Sequence, residues 1–152
     1  MPVAGLAATR VEVGRGVHTN AWGRRVKETF VAHVVHFEIS VPNPEQAVGF
    51  YSQVFGWSIQ KLPDPVRYWQ IRTSEAPSEQ GIPGGIVQSK TGLPRVSVTV
   101  QVESLERACA RVISNGGSVM TEQQIVPGFG VHVLCKDPQG NFFALIEPLS
   151  AK

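Results

Sequence analysis

The chain has 152 residues and a formal net charge of +2, with 42% hydrophobic and 17% charged residues, the proportions of a single soluble domain with a real core. No apolar run approaches the roughly 20 residues that cross a bilayer, and the first thirty residues lack the apolar centre of a secretory signal, which excludes a membrane span and makes the cytoplasm the expected compartment. Arg10, Arg15, Arg24, Arg25 and Lys27 against Glu12 and Glu28 give residues 1–30 a charge of +3, so the remainder carries −1, and no basic stripe is left for nucleic acid. Residues 1–30 are rich in Gly and Ala without a helical period, and are expected to form a flexible basic arm. Residues 31–150 are expected to form one domain.

That domain opens with Val34 to Val41, where Val35, Phe37, Ile39 and Val41 alternate with His36, Glu38 and Ser40, the period of a strand with one apolar and one polar face. A helix follows. Asn43 is its cap, Pro44 its first position and Gln46 the far side of a capping box; Ala47, Phe50, Tyr51, Val54 and Phe55 fall on one face, and Gly56 stops it. Three shorter strands then close a first module, about 33–89: Trp57–Lys61, Tyr68–Arg72 and Gly85–Gln88, separated by loops rich in Pro and Gly.

The same order is then written again over about 94–149. Val96 to Val102 repeats the alternation, and setting Val41 over Val102 gives an offset of 61 residues that places Ser97 under His36, Thr99 under Glu38 and Gln101 under Ser40. Ser104 caps a second helix whose stripe is Leu105, Ala108, Cys109, Val112 and Ile113, and Asn115-Gly116-Gly117 stops it, Gly117 standing under Gly56. Ser118–Met120, Gly130–Cys135 and Phe142–Glu147 complete the second module, with a turn at Asp137-Pro138-Gln139-Gly140-Asn141 before the last strand. Cys109 and Cys135 have neither the spacing of a zinc site nor the density of a disulfide framework.

The expected fold is therefore α+β: two repeated βαβββ modules forming a curled, mostly antiparallel eight-strand sheet with both helices on its outer face. Each helix must lay its stripe on the apolar strand faces, which turns His36, Glu38, Ser97, Thr99 and Gln101 towards the opposite, concave side. His132 lies on a strand whose inward side the sequence does not determine. Trp57, Tyr68, Trp69, Phe129, Phe142 and Phe143 stand outside the helix stripes and are candidates for the walls of a cleft. Among them Phe129, between glycines in Pro127-Gly128-Phe129-Gly130, reads as a lid.

These residues resemble the vicinal oxygen chelate superfamily, which includes glyoxalase I, bleomycin-resistance proteins and extradiol dioxygenases. The resemblance spans about residues 33–149 and rests on His36-Phe37-Glu38-Ile39-Ser40-Val41, Phe50-Tyr51 to Phe55-Gly56-Trp57, Gly84-Gly85-Ile86 and Asp137-Pro138-Gln139-Gly140-Asn141. In its metal-dependent members a divalent ion sits in the curled sheet, held from the first and last strands of each module. Carried over, those positions are His36, Gly85 or the nearby Gln88, Ser97 and Ala144. Only His36 is a good ligand, since Ala144 has no donor and a serine is a poor one. The resemblance thus implies a small-molecule-binding protein with a degenerate metal site, its ligand lined by His36, Glu38, Ser97, Thr99, Gln101, Trp57, Phe129, His132 and Ala144, with no metal or other cofactor expected. The alternative is a metal-dependent lyase, isomerase or dioxygenase with a centre remodelled around His36 and Glu38, joined by His132, for which a divalent metal is the candidate cofactor. The expected partners are a small-molecule ligand or substrate and a second copy of the chain, because family members commonly close the cavity across a two-fold and the edges of an open sheet need covering.

Overall fold

In a computed structural model the described residues are 31–76 and 79–150, with the short strands β1 (Val17–Thr19) and β2 (Arg25–Lys27), which pair antiparallel. The chain divides into two units, Met1–Val31 and Ala32–Lys152. Apart from β1 and β2, the arm expected over residues 1–30 lies outside the described residues. The larger unit runs β3 (His33–Val41), α1 (Pro44–Phe55), β4 (Ser58–Lys61), β5 (Tyr68–Arg72), β6 (Gly84–Gln88), β7 (Arg95–Gln101), α2 (Leu105–Ser114), β8 (Ser118–Val119), β9 (Gln124–Val126), β10 (Gly130–Lys136) and β11 (Phe142–Pro148).

All strands from β3 onward form one curled sheet in the order β4-β5-β6-β3-β7-β11-β10-β8, with β9 pairing on β10 off that path. Within each module the last strand returns beside the first, so β6 pairs β3 and β11 pairs β7 in parallel, while the remaining pairs are antiparallel. The modules join where β3 meets β7 antiparallel at the centre, across a bulge between Val34 and His36. The strand β9 is an addition to the expected eight. It is short and its Ile125 is 73% exposed, so it carries no burial pattern that the sequence could have revealed.

Both helices start as the sequence dictates. Asn43 Oδ1 accepts from the Gln46 backbone N–H at 3.1 Å, and Ser104 Oγ from that of Arg107 at 3.3 Å. A second acceptor reaches α2 from the sheet: Glu147 Oε2 takes the Leu105 N–H at 2.7 Å, placing a carboxylate at the positive end of the helix. The stops differ. Gly56, at φ 69°, ends α1 with a single bond to the Ser52 carbonyl, whereas α2 ends with Gly116 at φ 85° bonding Ile113 and Gly117 bonding Val112. The left-handed residue is thus Gly116 rather than Gly117, because α2 is two residues shorter than α1.

Each module has its own core between helix and sheet. In the first, Ile39, Trp69, Ile71 and Ile86 are buried against Phe37, Ala47, Val48, Tyr51 and Trp57. In the second, Val102, Leu105, Ala108, Val133, Cys135 and Leu145 are buried against Val100, Val112 and Phe143. Burial there, with Cys109 adding to it, pushes the Cys135 thiol up to about 11, so it stays protonated and inert. The stripe of α1 is wider than the surface it covers: Ala47 and Tyr51 pack inward, but Phe50, Val54 and Phe55 remain 54–57% exposed. Among the described residues no helix is long and apolar enough to cross a membrane.

Candidate functional site

Strand alternation and register decide which side chains share the concave face. Phe37, Ile39 and Val41 pack under α1, so His36, Glu38 and Ser40 point the other way. Residues directly opposite on neighbouring strands share a face: His36 stands opposite Thr99, which stands opposite Ala144, and Glu38 stands between Ser97 and Gly85. Gln101 stands opposite Ile146, which stands opposite His132. The concave face therefore gathers His36, Glu38, Ser97, Thr99, Gln101, His132 and Ala144.

Strand register does not assign the other two expected residues to that face. Trp57 packs in the first core, its ring 5.7 Å from Phe37 and stacked at 5.6 Å on Tyr51. It precedes β4 on the helix side, where a large apolar ring buries more area than the polar face offers. Phe129 stands at the tip of the β9–β10 turn, closed by its N–H on the Val126 carbonyl at 3.0 Å, and is 61% exposed.

The centre of the concave face is occupied by a residue from β5. Tyr68 Oη lies 2.9 Å from His36 Nε2. A methyl group built at Gly85 collides with that phenol, just as one built at Gly84 collides with the Phe37 ring on the opposite face. The Gly84-Gly85 pair thus lets two aromatic rings lie flat on the two sides of one strand. Tyr68 fills the space that a side chain at Gly85 would need, and it engages His36, the one good ligand among the carried-over positions. Period 2 along Tyr68-Trp69-Gln70-Ile71-Arg72 assigns Tyr68 to the polar face once Trp69 and Ile71 are known to be core, but its meeting with His36, 32 positions away, has no local signal.

Electrostatics sharpen the picture. Burial raises the Glu38 carboxyl above its ordinary range, an effect that Arg95 opposes. Burial also raises the Tyr68 phenol, with the nearby Glu38 charge adding to it, so that it remains a hydrogen-bond donor at any physiological pH. His36 is lowered by burial and then by His132, and His132 by burial; both imidazoles favour the neutral form. His132 Nδ1 is buried without a hydrogen-bond partner among the described residues. With a neutral imidazole, a phenol and a partly desolvated carboxyl on one face, the site can donate and accept protons. Among the described residues no three His, Cys, Asp or Glu side chains lie close enough to hold a metal ion.

Comparison with known proteins places this architecture. The model of the glyoxalase-like domain family matches residues 10–146. The lactoylglutathione lyase of Escherichia coli O157:H7 is 25% identical over 128 residues, covering 78% of this chain and 94% of the lyase. Methylmalonyl-CoA epimerase from Mycobacterium tuberculosis superposes with a TM-score of 0.56 at 16% identity over 77% of this chain and 88% of the epimerase. A glyoxalase/bleomycin resistance protein/dioxygenase superfamily member from Vibrio splendidus superposes with a TM-score of 0.55 at 14% identity over 77% and 99%. At those identities the structural likenesses speak for the fold alone. The chain belongs to the glyoxalase-like domain family, and through it to the vicinal oxygen chelate superfamily.

Proposed function

We propose that this protein binds a small organic molecule on the concave face of its sheet, without a divalent ion at the centre that superfamily members often use. The observation that supports this reading is the Tyr68–His36 hydrogen bond over Gly85. Of the carried-over positions, Gly85 and Ala144 have no donor, Gln88, the alternative to Gly85, stands opposite Val41 on the helix face, Ser97 has a poor donor, and His36 is engaged by a phenol. The residues present do not fit a metal. What they offer instead is polar recognition and proton transfer, His36 and Tyr68 meeting a ligand oxygen while Glu38 exchanges a proton beside them.

The second reading, a metal-dependent lyase, isomerase or dioxygenase with a centre remodelled around His36 and Glu38, draws on the likeness to the lactoylglutathione lyase. It requires His36 to leave Tyr68 and a third donor, such as His132, to join. Metal analysis of the purified protein, followed by calorimetric titration with zinc and nickel, separates the two. Substoichiometric metal after dialysis and only weak binding are expected; an ion that stays bound one to one through dialysis would transfer the case to the second reading.

We further propose that two copies associate and that the protein works in the cytoplasm. Exposed Phe50, Val54 and Phe55 on α1 form an apolar surface that solvent leaves uncompensated, and the sheet keeps open edges at β4 and β8. Size-exclusion chromatography with light scattering should give the mass of two chains at micromolar concentration. The mass of a single chain would remove the dimer from the proposal.

A further inference from the structure

The strand residues on the concave face include one carboxylate, Glu38, against three cations, Arg72, Arg95 and Lys136. Two of those cations converge on one ring. Phe142 opens β11 with β7 on one side and β10 on the other. The Arg95 guanidinium, from β7, sits 4.2 Å from its centroid, and Lys136 Nζ, from β10, sits 4.9 Å from it. Register puts Lys136 directly opposite Phe142 and Arg95 on the face of Ser97 and Thr99, so ring and charges belong to the same side of the sheet.

Among the described residues the ion pairs are Lys61 with Asp64 and Arg67 with Glu45, and neither Arg95 nor Lys136 forms one there. Attraction to the ring holds each cation, and Glu38 offsets part of the Arg95 charge. An anion that reaches both cations gains charge-assisted hydrogen bonds from each. The Phe142 ring beside them offers aromatic contact to an organic group attached to the anion.

We propose that Arg95, Phe142 and Lys136 form a seat for the anionic end of the ligand, a carboxylate or phosphate carried on an organic group, bound on the same face as Glu38 and the Tyr68–His36 pair. This deepens, and rests on, the reading of the concave face as the ligand site. The chemistry of the seat assigns the substrate class as small organic oxyanions and excludes neutral analogues of the same shape.

The test uses the full chain, dialysed against EDTA and titrated at constant ionic strength with benzoate, phenyl phosphate and the neutral benzamide while amide proton–nitrogen spectra are recorded. Saturable shifts at Arg95, Lys136 and Phe142 are expected with at least one of the two oxyanions, with benzamide at least tenfold weaker. Arg95→Gln/Lys136→Gln should weaken oxyanion binding at least tenfold, and Lys136→Arg, which keeps the charge, should retain it. No oxyanion binding, equal binding of benzamide, or an unaffected double variant overturns the seat; benzamide shifts centred on His36 and Tyr68 would then leave the concave site itself standing. Oxyanion binding that is absent after EDTA and returns with added zinc overturns both the seat and the metal-free reading.

Discussion

Glu38 and the two concave-face histidines load the fold from opposite ends of the pH scale. A carboxyl whose folded value is raised, as burial raises Glu38 above 4.5, binds its proton more tightly in the native state. Its contribution is fully present below 4.5 and is lost as pH rises through the folded value. His36 and His132 are held below 6.5, so the unfolded chain takes up their protons first and stability falls as pH drops below 6.5. Glu38→Gln keeps the shape and removes the charge. It should raise the melting temperature by a few degrees at pH 8, where the native carboxylate is desolvated, and should change it much less at pH 4, where the wild-type carboxyl is mostly protonated in both states. Thermal unfolding at the two pH values checks this; an equal change at both would mean that Glu38 acts through packing and not through its charge. A residue that costs stability at the working pH is one kept for chemistry or recognition.

At the scale of the elements, the helices were the most legible part of the chain and the short strands the least. Asn43 and Ser104 stand 61 positions apart and both cap through a side-chain oxygen, because a cap is a local device written in adjacent residues. The stops are also local, but the offset alone misplaces the second by one residue, since helix length depends on how far each stripe stays on its sheet. β9 escaped notice because three residues with an exposed Ile125 acquire strand character only by pairing with β10. For the site, alternation along β3 and β7 was enough to bring His36, Glu38, Ser97, Thr99 and Gln101 to one face. It was not enough to find the partners that matter to their chemistry. Tyr68 reaches His36 from β5, and Arg95 and Lys136 meet on Phe142 from strands on either side of β11; such meetings are set by sheet order. Trp57 shows the converse error, an aromatic outside the helix stripe that nonetheless packs against the helix.

At the scale of the molecule, duplication divides the labour of the concave face. On the proposed reading, the first module contributes the proton-active group His36, Glu38 and Tyr68; the second contributes the cations Arg95 and Lys136 with Phe142 and the wall residues Ser97, Thr99 and Ala144. The antiparallel junction of β3 with β7 brings the two sets onto one surface, so the site depends on both modules being folded and joined. Every strand of the large sheet begins at His33 or later, and among the described residues both cores are built from 32–145. From the +3 charge of residues 1–30 and their lack of any apolar period we propose that this segment adds little burial. A chain starting at Val31 should therefore melt within a degree or so of the full-length protein and keep its ligand affinity. A loss of several degrees would show that the segment covers apolar surface on the domain, with Phe50, Val54 and Phe55 on α1 the first place to look for it.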